Sequence, residues 1–189
     1  MSTLEVNKIT PVGVGTSVTL GDSGDTFTIP SGVTLDGSSA TLTGFATTNG
    51  ITEADQWRMT ADKTGTGIIN TNLERVDTDG GGYIGTGMTQ SSGNFSFPST
   101  GIWLISLNTL SDGLVYITIE TTQDNSSYNA AASCYSDSSV QSGNCQFIFD
   151  VTDTSTHKVN FNRFGGSGTL YGSTSINQTS FTFIRLGDT

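Results

Sequence analysis

Between Thr16 and Phe45 the chain repeats a unit too small to fold by itself, two apolar residues flanking a threonine: Val18-Thr-Leu20, Phe27-Thr-Ile29, Val33-Thr-Leu35 and, more weakly, Ala40-Thr-Leu42. The period of two predicts very short strands with one apolar face, and Gly21-Asp-Ser-Gly-Asp25, Pro30-Ser-Gly32 and Asp36-Gly-Ser-Ser39 supply the turns between them. Two inward side chains per unit do not offset an ordering entropy of about 1–2 kcal/mol per residue. The segment therefore needs neighbours. Three identical chains stacked about an axis give each apolar pair two symmetry-related partners and bury a narrow continuous core, with Phe27, Ile29, Val33 and Leu35 in the interface. A disordered Gly/Ser/Thr linker is the competing reading, and the regular placement of those four residues argues against it.

Residues 46–56 are polar and non-repeating and read as the joint, with a boundary near Ile51. Beyond it lie longer alternating runs: Gln56–Thr60, Asn94–Phe97, Gly101–Leu107, Leu114–Thr121, Asn144–Val151, His157–Phe164 and Ser180–Leu186. This many short strands predicts an all-β sandwich or barrel over residues 51–189. Val115, Ile117 and Ile119 alternate with Tyr116, Thr118 and Glu120, so that strand has one wet face. Ile102-Trp-Leu-Ile105, by contrast, is apolar on both sides, and Phe147-Ile-Phe149 and Phe181-Thr-Phe-Ile184 are nearly so. Such strands need cover on both faces, and a second subunit is the expected cover. Trp103, Ile148 and Ile184 are the candidates for that inter-subunit surface, although periodicity does not say which face of each strand points inward.

Charge excludes several function classes. The formal net charge is −10, so nucleic acid and anionic membranes repel the chain, and no run approaches the roughly 20 apolar residues of a membrane span. Hydrophobic residues make up only 33%, low for a self-sufficient globule and consistent with apolar surface shared between chains. The opening Met-Ser-Thr-Leu-Glu-Val lacks the basic and apolar regions of a signal peptide, so synthesis in the cytosol is expected. Cys134 and Cys145 bracket a polar segment that reads as a hairpin tip, either as a disulfide or as two half-buried thiols.

Chemistry is sparse. Gly21-Asp-Ser-Gly24 is similar to the nucleophile segment of chymotrypsin-like proteases, but Asp25-Thr26 replaces the glycine and proline expected there, and His157 is the only histidine. No catalytic residues, metal or cofactor are expected. Asp77-Thr-Asp-Gly80 offers oxygen ligands to calcium but reads as a plain turn. Tyr128, Tyr135 and Tyr171 sit among Ser, Asn and Gly, a mixture suited to saccharide contacts around an aromatic platform, and they are the candidate ligand residues. The competing reading is that each tyrosine caps a sandwich edge with its hydroxyl in water.

The stretch Gly93-Asn-Phe-Ser-Phe-Pro-Ser-Thr-Gly-Ile-Trp-Leu-Ile-Ser106 resembles the signature of the complement C1q and tumour-necrosis-factor jelly-roll superfamily. Phe95 and Pro98 fit, Gly101 falls at the tight turn, and Trp103 stands where that family usually has tyrosine; Thr179–Leu186 looks like its last strand. The whole chain is also similar to small fibre-like proteins of marine tailed phages, through residues 3–9 (Thr-Leu-Glu-Val-Asn-Lys-Ile) and 21–30 (Gly-Asp-Ser-Gly-Asp-Thr-Phe-Thr-Ile-Pro). That resemblance implies a virion protein assembled in the host cytoplasm. It implies a homotrimer in which residues 1–15 bind other capsid or tail proteins, 16–50 form a short β-stalk and 51–189 a jelly-roll head. A short stalk suits a stubby projection, which favours capsid decoration or a head fibre over a tail fibre. Contact with a host glycan or receptor is the further expectation, and an adhesin head is the alternative function.

Overall fold

The computed structural model describes Thr26, Thr28, Ser31, Gly32, residues 50–137 and residues 139–189. The stalk candidates Phe27, Ile29, Val33 and Leu35 lie outside the described residues, as do residues 1–15 and the Gly21–Gly24 segment.

Among the described residues the head contains twelve strands and no helix. In chain order these are β1 (Ala54–Met59), β2 (Gly67–Ile68), β3 (Leu73–Arg75), β4 (Thr89–Ser91), β5 (Asn94–Ser96) and β6 (Gly101–Asp112). They continue with β7 (Val115–Thr122), β8 (Asn129–Ser136), β9 (Gln141–Val151), β10 (Lys158–Gly165), β11 (Thr169–Leu170) and β12 (Ser180–Gly187). One antiparallel sheet runs β6-β12-β1-β3, with β9 on the other side of β6 and β11 continuing the β12 position. The second runs β4-β5-β10-β7-β8, with β2 also paired to β10. All seven runs expected from periodicity are strands. The one long strand that periodicity did not find, β8, has the sequence Asn-Ala-Ala-Ala-Ser-Cys-Tyr-Ser, whose small and polar residues carry little strand propensity.

Alternation sorts the side chains. On β6, Trp103, Ile105 and Leu107 point between the sheets, as do Val115, Ile117 and Ile119 on β7, Val159 and Phe161 on β10, and Phe181 and Phe183 on β12. The centre is aromatic: Phe161 stacks on Phe181 at 4.1 Å, Phe95 lies 5.1 Å from Phe183, and Phe97 lies 5.1 Å from Trp103. Trp103 is 1% exposed within a single chain, and its indole N–H donates to the Ser99 carbonyl at 3.2 Å. It therefore belongs to the head's own core and not to an inter-subunit surface. With both faces of Ile102–Ile105 apolar, only the sheet pairing decides which residue faces in. Gly101 opens β6 at φ 141°, where a Cβ would sit 2.5 Å from both the Arg185 side chain and the Gly187 carbonyl oxygen, so only glycine fits this junction.

One buried cation ties loops to this core. Arg163 is fully buried on the inner face of β10, and its guanidinium donates to the carbonyls of Gly168 (2.7 Å), Gly166 (2.9 Å), Gly65 (3.2 Å) and Lys63 (3.4 Å). A second buried cation, Arg58, holds Glu74 at 2.6 Å and Asp77 at 3.4 Å. Asp79 and Gly80 take positive φ (54° and 80°), so Asp77–Gly80 is a turn with its first carboxylate against an arginine.

Candidate functional site

Two outward faces carry apolar groups, one on each sheet. On the β6 sheet, Leu104 pairs with Ile148 of β9 on one side and Ile184 of β12 on the other; Ile184 pairs with Ala54 of β1, which bridges to Ile84. Residues paired directly across antiparallel strands face the same way, so Ile84, Ala54, Ile184, Leu104 and Ile148 form one apolar row across the sheet. Ile148 is 59% exposed and Ile84 49%, while Leu104 and Ile184 are half-buried. Leu186 extends the exposed apolar surface on β12. The sequence candidates Ile148 and Ile184 both lie in this row, and Leu104, Ala54 and Ile84 are the members that periodicity did not single out.

The other sheet presents an aromatic shelf. Tyr135 of β8 pairs with Tyr116 of β7, their rings 6.0 Å apart and tilted by 33°, and Phe164 of β10 lies 5.5 Å from Tyr116 on its other side. All three are exposed. Beside them is a shallow trough of about 390 Å³ lined by Thr118, Glu120, Ala130–Ser133 and Phe164. The three candidate tyrosines do not converge. Tyr128 precedes β8 and Tyr135 nearly ends it, which separates them by roughly 20 Å at the strand rise of ~3.3 Å per residue. Tyr171 belongs beside the other sheet, where its hydroxyl donates to Asp112 at 3.0 Å. Only Tyr135 has aromatic company. Its partners were legible in principle, because Tyr116 and Phe164 occupy positions where the wet face of a strand should be polar.

Elsewhere the polar groups serve the loops. His157 is buried, stacks on Phe149 with ring centroids 5.5 Å apart, and has its ring nitrogens beside the hydroxyls of Thr156 (3.1 Å) and Thr152 (3.3 Å). Asp112 accepts from the Thr169 N–H and the Tyr171 hydroxyl, Asp124 from the Ser127 and Ser126 N–H groups, and Asp153 from the hydroxyl and N–H of Ser155. These bonds hold all three carboxyls below the ordinary value of 3.8. A carboxyl lowered by folding contributes stability that is complete above its unfolded value and is lost as pH falls through its folded one. The melting temperature is therefore expected to stay level from neutral pH to about 4 and to fall below it, with a shallower acid decline in Asp112→Asn, as read by calorimetry.

Cys134 and Cys145 are both buried, on β8 and β9. Those strands lie in different sheets, so the segment between them is a corner between layers and not a hairpin tip. Each thiol nevertheless acts on the other: hydrogen bonding with Cys145 lowers the pKa of Cys134, and the same interaction raises that of Cys145. With oxidised glutathione supplied, the pair is expected to close, losing two protons and two electrons while the glutathione disulfide is reduced to two thiols. Intact mass would fall by two hydrogens, and closing this short loop would add about 2–3 kcal/mol of stability. Complete alkylation of both thiols after that treatment would contradict the expectation.

No protein-family model matches the chain, and no curated protein matches it either. Solved structures do. Murine APRIL at pH 5.0 superposes with a TM-score of 0.53 at 12% identity, covering 71% of this chain and 98% of that one. The globular domain of zebrafish complement 1qA protein gives 0.51 at 11% identity, covering 72% and 99%. Eiger TNF from S. frugiperda gives 0.50 at 11% identity, covering 72% and 93%. The head is a jelly roll of the C1q and tumour-necrosis-factor type. Within this jelly roll, the Gly93–Ser106 stretch supplies β5 and the first half of β6, with Phe95, Phe97 and Trp103 all in the core.

Proposed function

We propose that the chain is a non-enzymatic structural protein of a tailed-phage particle, in which three copies form a short projection with the N-terminal segment on the particle and the jelly-roll heads outward. The apolar row Ile84-Ala54-Ile184-Leu104-Ile148 carries this reading. A rigid sheet presenting an in-register apolar stripe to water is the face a symmetric neighbour covers, and closed rings of like subunits are the common way to cover it. The similarity of residues 3–9 and 21–30 to fibre-like phage proteins supports the virion assignment, and the short spacing between those residues and the head suits decoration of the capsid.

Antibody raised against the head is expected to label purified particles over the shell. Labelling only at the tail would move the protein there, and particles without the protein would overturn the assignment. A receptor-binding or glycan-binding head is the second reading, favoured by the exposed aromatic shelf, and it is compatible with the first.

A further inference from the structure

We propose that the outer face of the β4-β5-β10-β7-β8 sheet is a binding site for neutral saccharide, with the Tyr116, Tyr135 and Phe164 rings as the stacking platform and Glu120 as the hydroxyl acceptor. Three exposed rings from adjacent strands adjoin one another there, Tyr116 lying 6.0 Å from Tyr135 at a tilt of 33° and 5.5 Å from Phe164 at 36°. Tyr135 is 64% exposed and Phe164 53%, a large cost in apolar hydration for a fold that buries Trp103 and six phenylalanines, Phe95, Phe97, Phe149, Phe161, Phe181 and Phe183, in its core. The negative face of such a ring attracts the polarised C–H face of a sugar.

The trough beside the rings fixes the ligand's polarity. Glu120 is half-buried and held in place: its Oε1 accepts from Asn162 Nδ2 at 2.8 Å and from the Thr118 hydroxyl at 3.4 Å. Among the described residues it is the only charged side chain lining the trough, and no cation accompanies it there. The lone carboxylate favours a ligand that donates hydrogen bonds and carries no negative charge, so neutral hydroxyl-rich sugars fit better than uronic or sialic acids, whose own carboxylates it repels. Ala130 and Ala131 keep the floor low, so a sugar ring can lie against β8. A protein partner fits less well, since three rings and one trough fall far short of the roughly 20–30 residues a side in a stable interface. The shelf lies on the sheet opposite the apolar row, so in the proposed trimer it faces away from the axis; that outward placement, but not the sugar chemistry, rests on the trimer reading.

The test uses the full chain and a panel of neutral gluco-, manno- and galacto-oligosaccharides beside uronic-acid and sialylated counterparts, read by saturation-transfer NMR and calorimetry. Binding of a neutral oligosaccharide is expected, weakened about tenfold or more by Tyr135→Ala and by Tyr116→Ala and several-fold by Glu120→Gln. Light scattering on the same samples separates the two readings, since these variants should keep the wild-type mass. Tyr135 is exposed enough that its alanine variant should fold even if Tyr116→Ala does not. The proposal is overturned if no neutral oligosaccharide binds at millimolar concentration, if acidic sugars bind better, or if binding survives Tyr135→Ala. Capture of a host protein through the shelf with no sugar binding would also overturn it.

Discussion

Arg163→Met should cost the head about 3 kcal/mol, a large share of the roughly 5–15 kcal/mol that holds a typical domain together. Methionine keeps much of the side-chain volume, so the loss comes mainly from hydrogen bonding. The carbonyls of Gly166 and Gly168 give up donors at 2.9 and 2.7 Å and that of Gly65 one at 3.2 Å, while Lys63 keeps the Leu170 N–H at 3.0 Å. Gly168 itself is buried, and a Cβ there would lie 1.9 Å from the Asp112 carbonyl oxygen, so the loop has little room to turn its carbonyl toward water. Arg163→Lys should recover part of the loss, because one ammonium can reach one or two of the same oxygens. Denaturant midpoints at constant m-value measure this, and a Met variant within about 0.5 kcal/mol of wild type would show that the clasp is not structural.

The second large effect separates two neighbours in sequence. Leu104→Asp together with Ile148→Asp should leave the head folded but raise trimer dissociation by at least about a hundredfold, since six carboxylates would be buried against one another around the axis. Both side chains face outward from the sheet in a single chain, so the isolated head can keep them in water. Trp103→Asp, one residue away, should instead unfold the head, because Trp103 is enclosed by Phe97 and its own sheet. Sedimentation velocity with circular dichroism distinguishes the outcomes. A trimeric double variant, or a folded Trp103→Asp, would show that the two faces have been exchanged.

Those two variants mark where sequence reasoning worked and where it stopped. Strand positions were legible because apolar residues, alternating in β7 and β10 and consecutive in β6, β9 and β12, mark the long strands, except β8, where Ala130, Ala131, Ala132 and Ser133 offer no contrast between faces. The need for cover on both sides of Ile102–Ile105 was legible too. Which of Trp103 and Leu104 faced the core was not, because both are large and apolar and the choice is made by pairing with Phe149 and Ile148 on β9. The three candidate tyrosines do not converge for a related reason: Tyr128, Tyr135 and Tyr171 share a composition but not a location, and the shelf around Tyr135 is assembled from β7, β8 and β10, whose adjacency only the sheet order reveals. The wet-face positions of Tyr116 and Phe164 were the available clue.

The proposed trimer forms only if three copies cover the Leu104 row together. Multi-angle light scattering of the full chain at micromolar concentration measures this most directly. The predicted result is a single species of three times the 19.8 kDa chain mass; a folded, cooperatively melting species at the mass of one chain would contradict it.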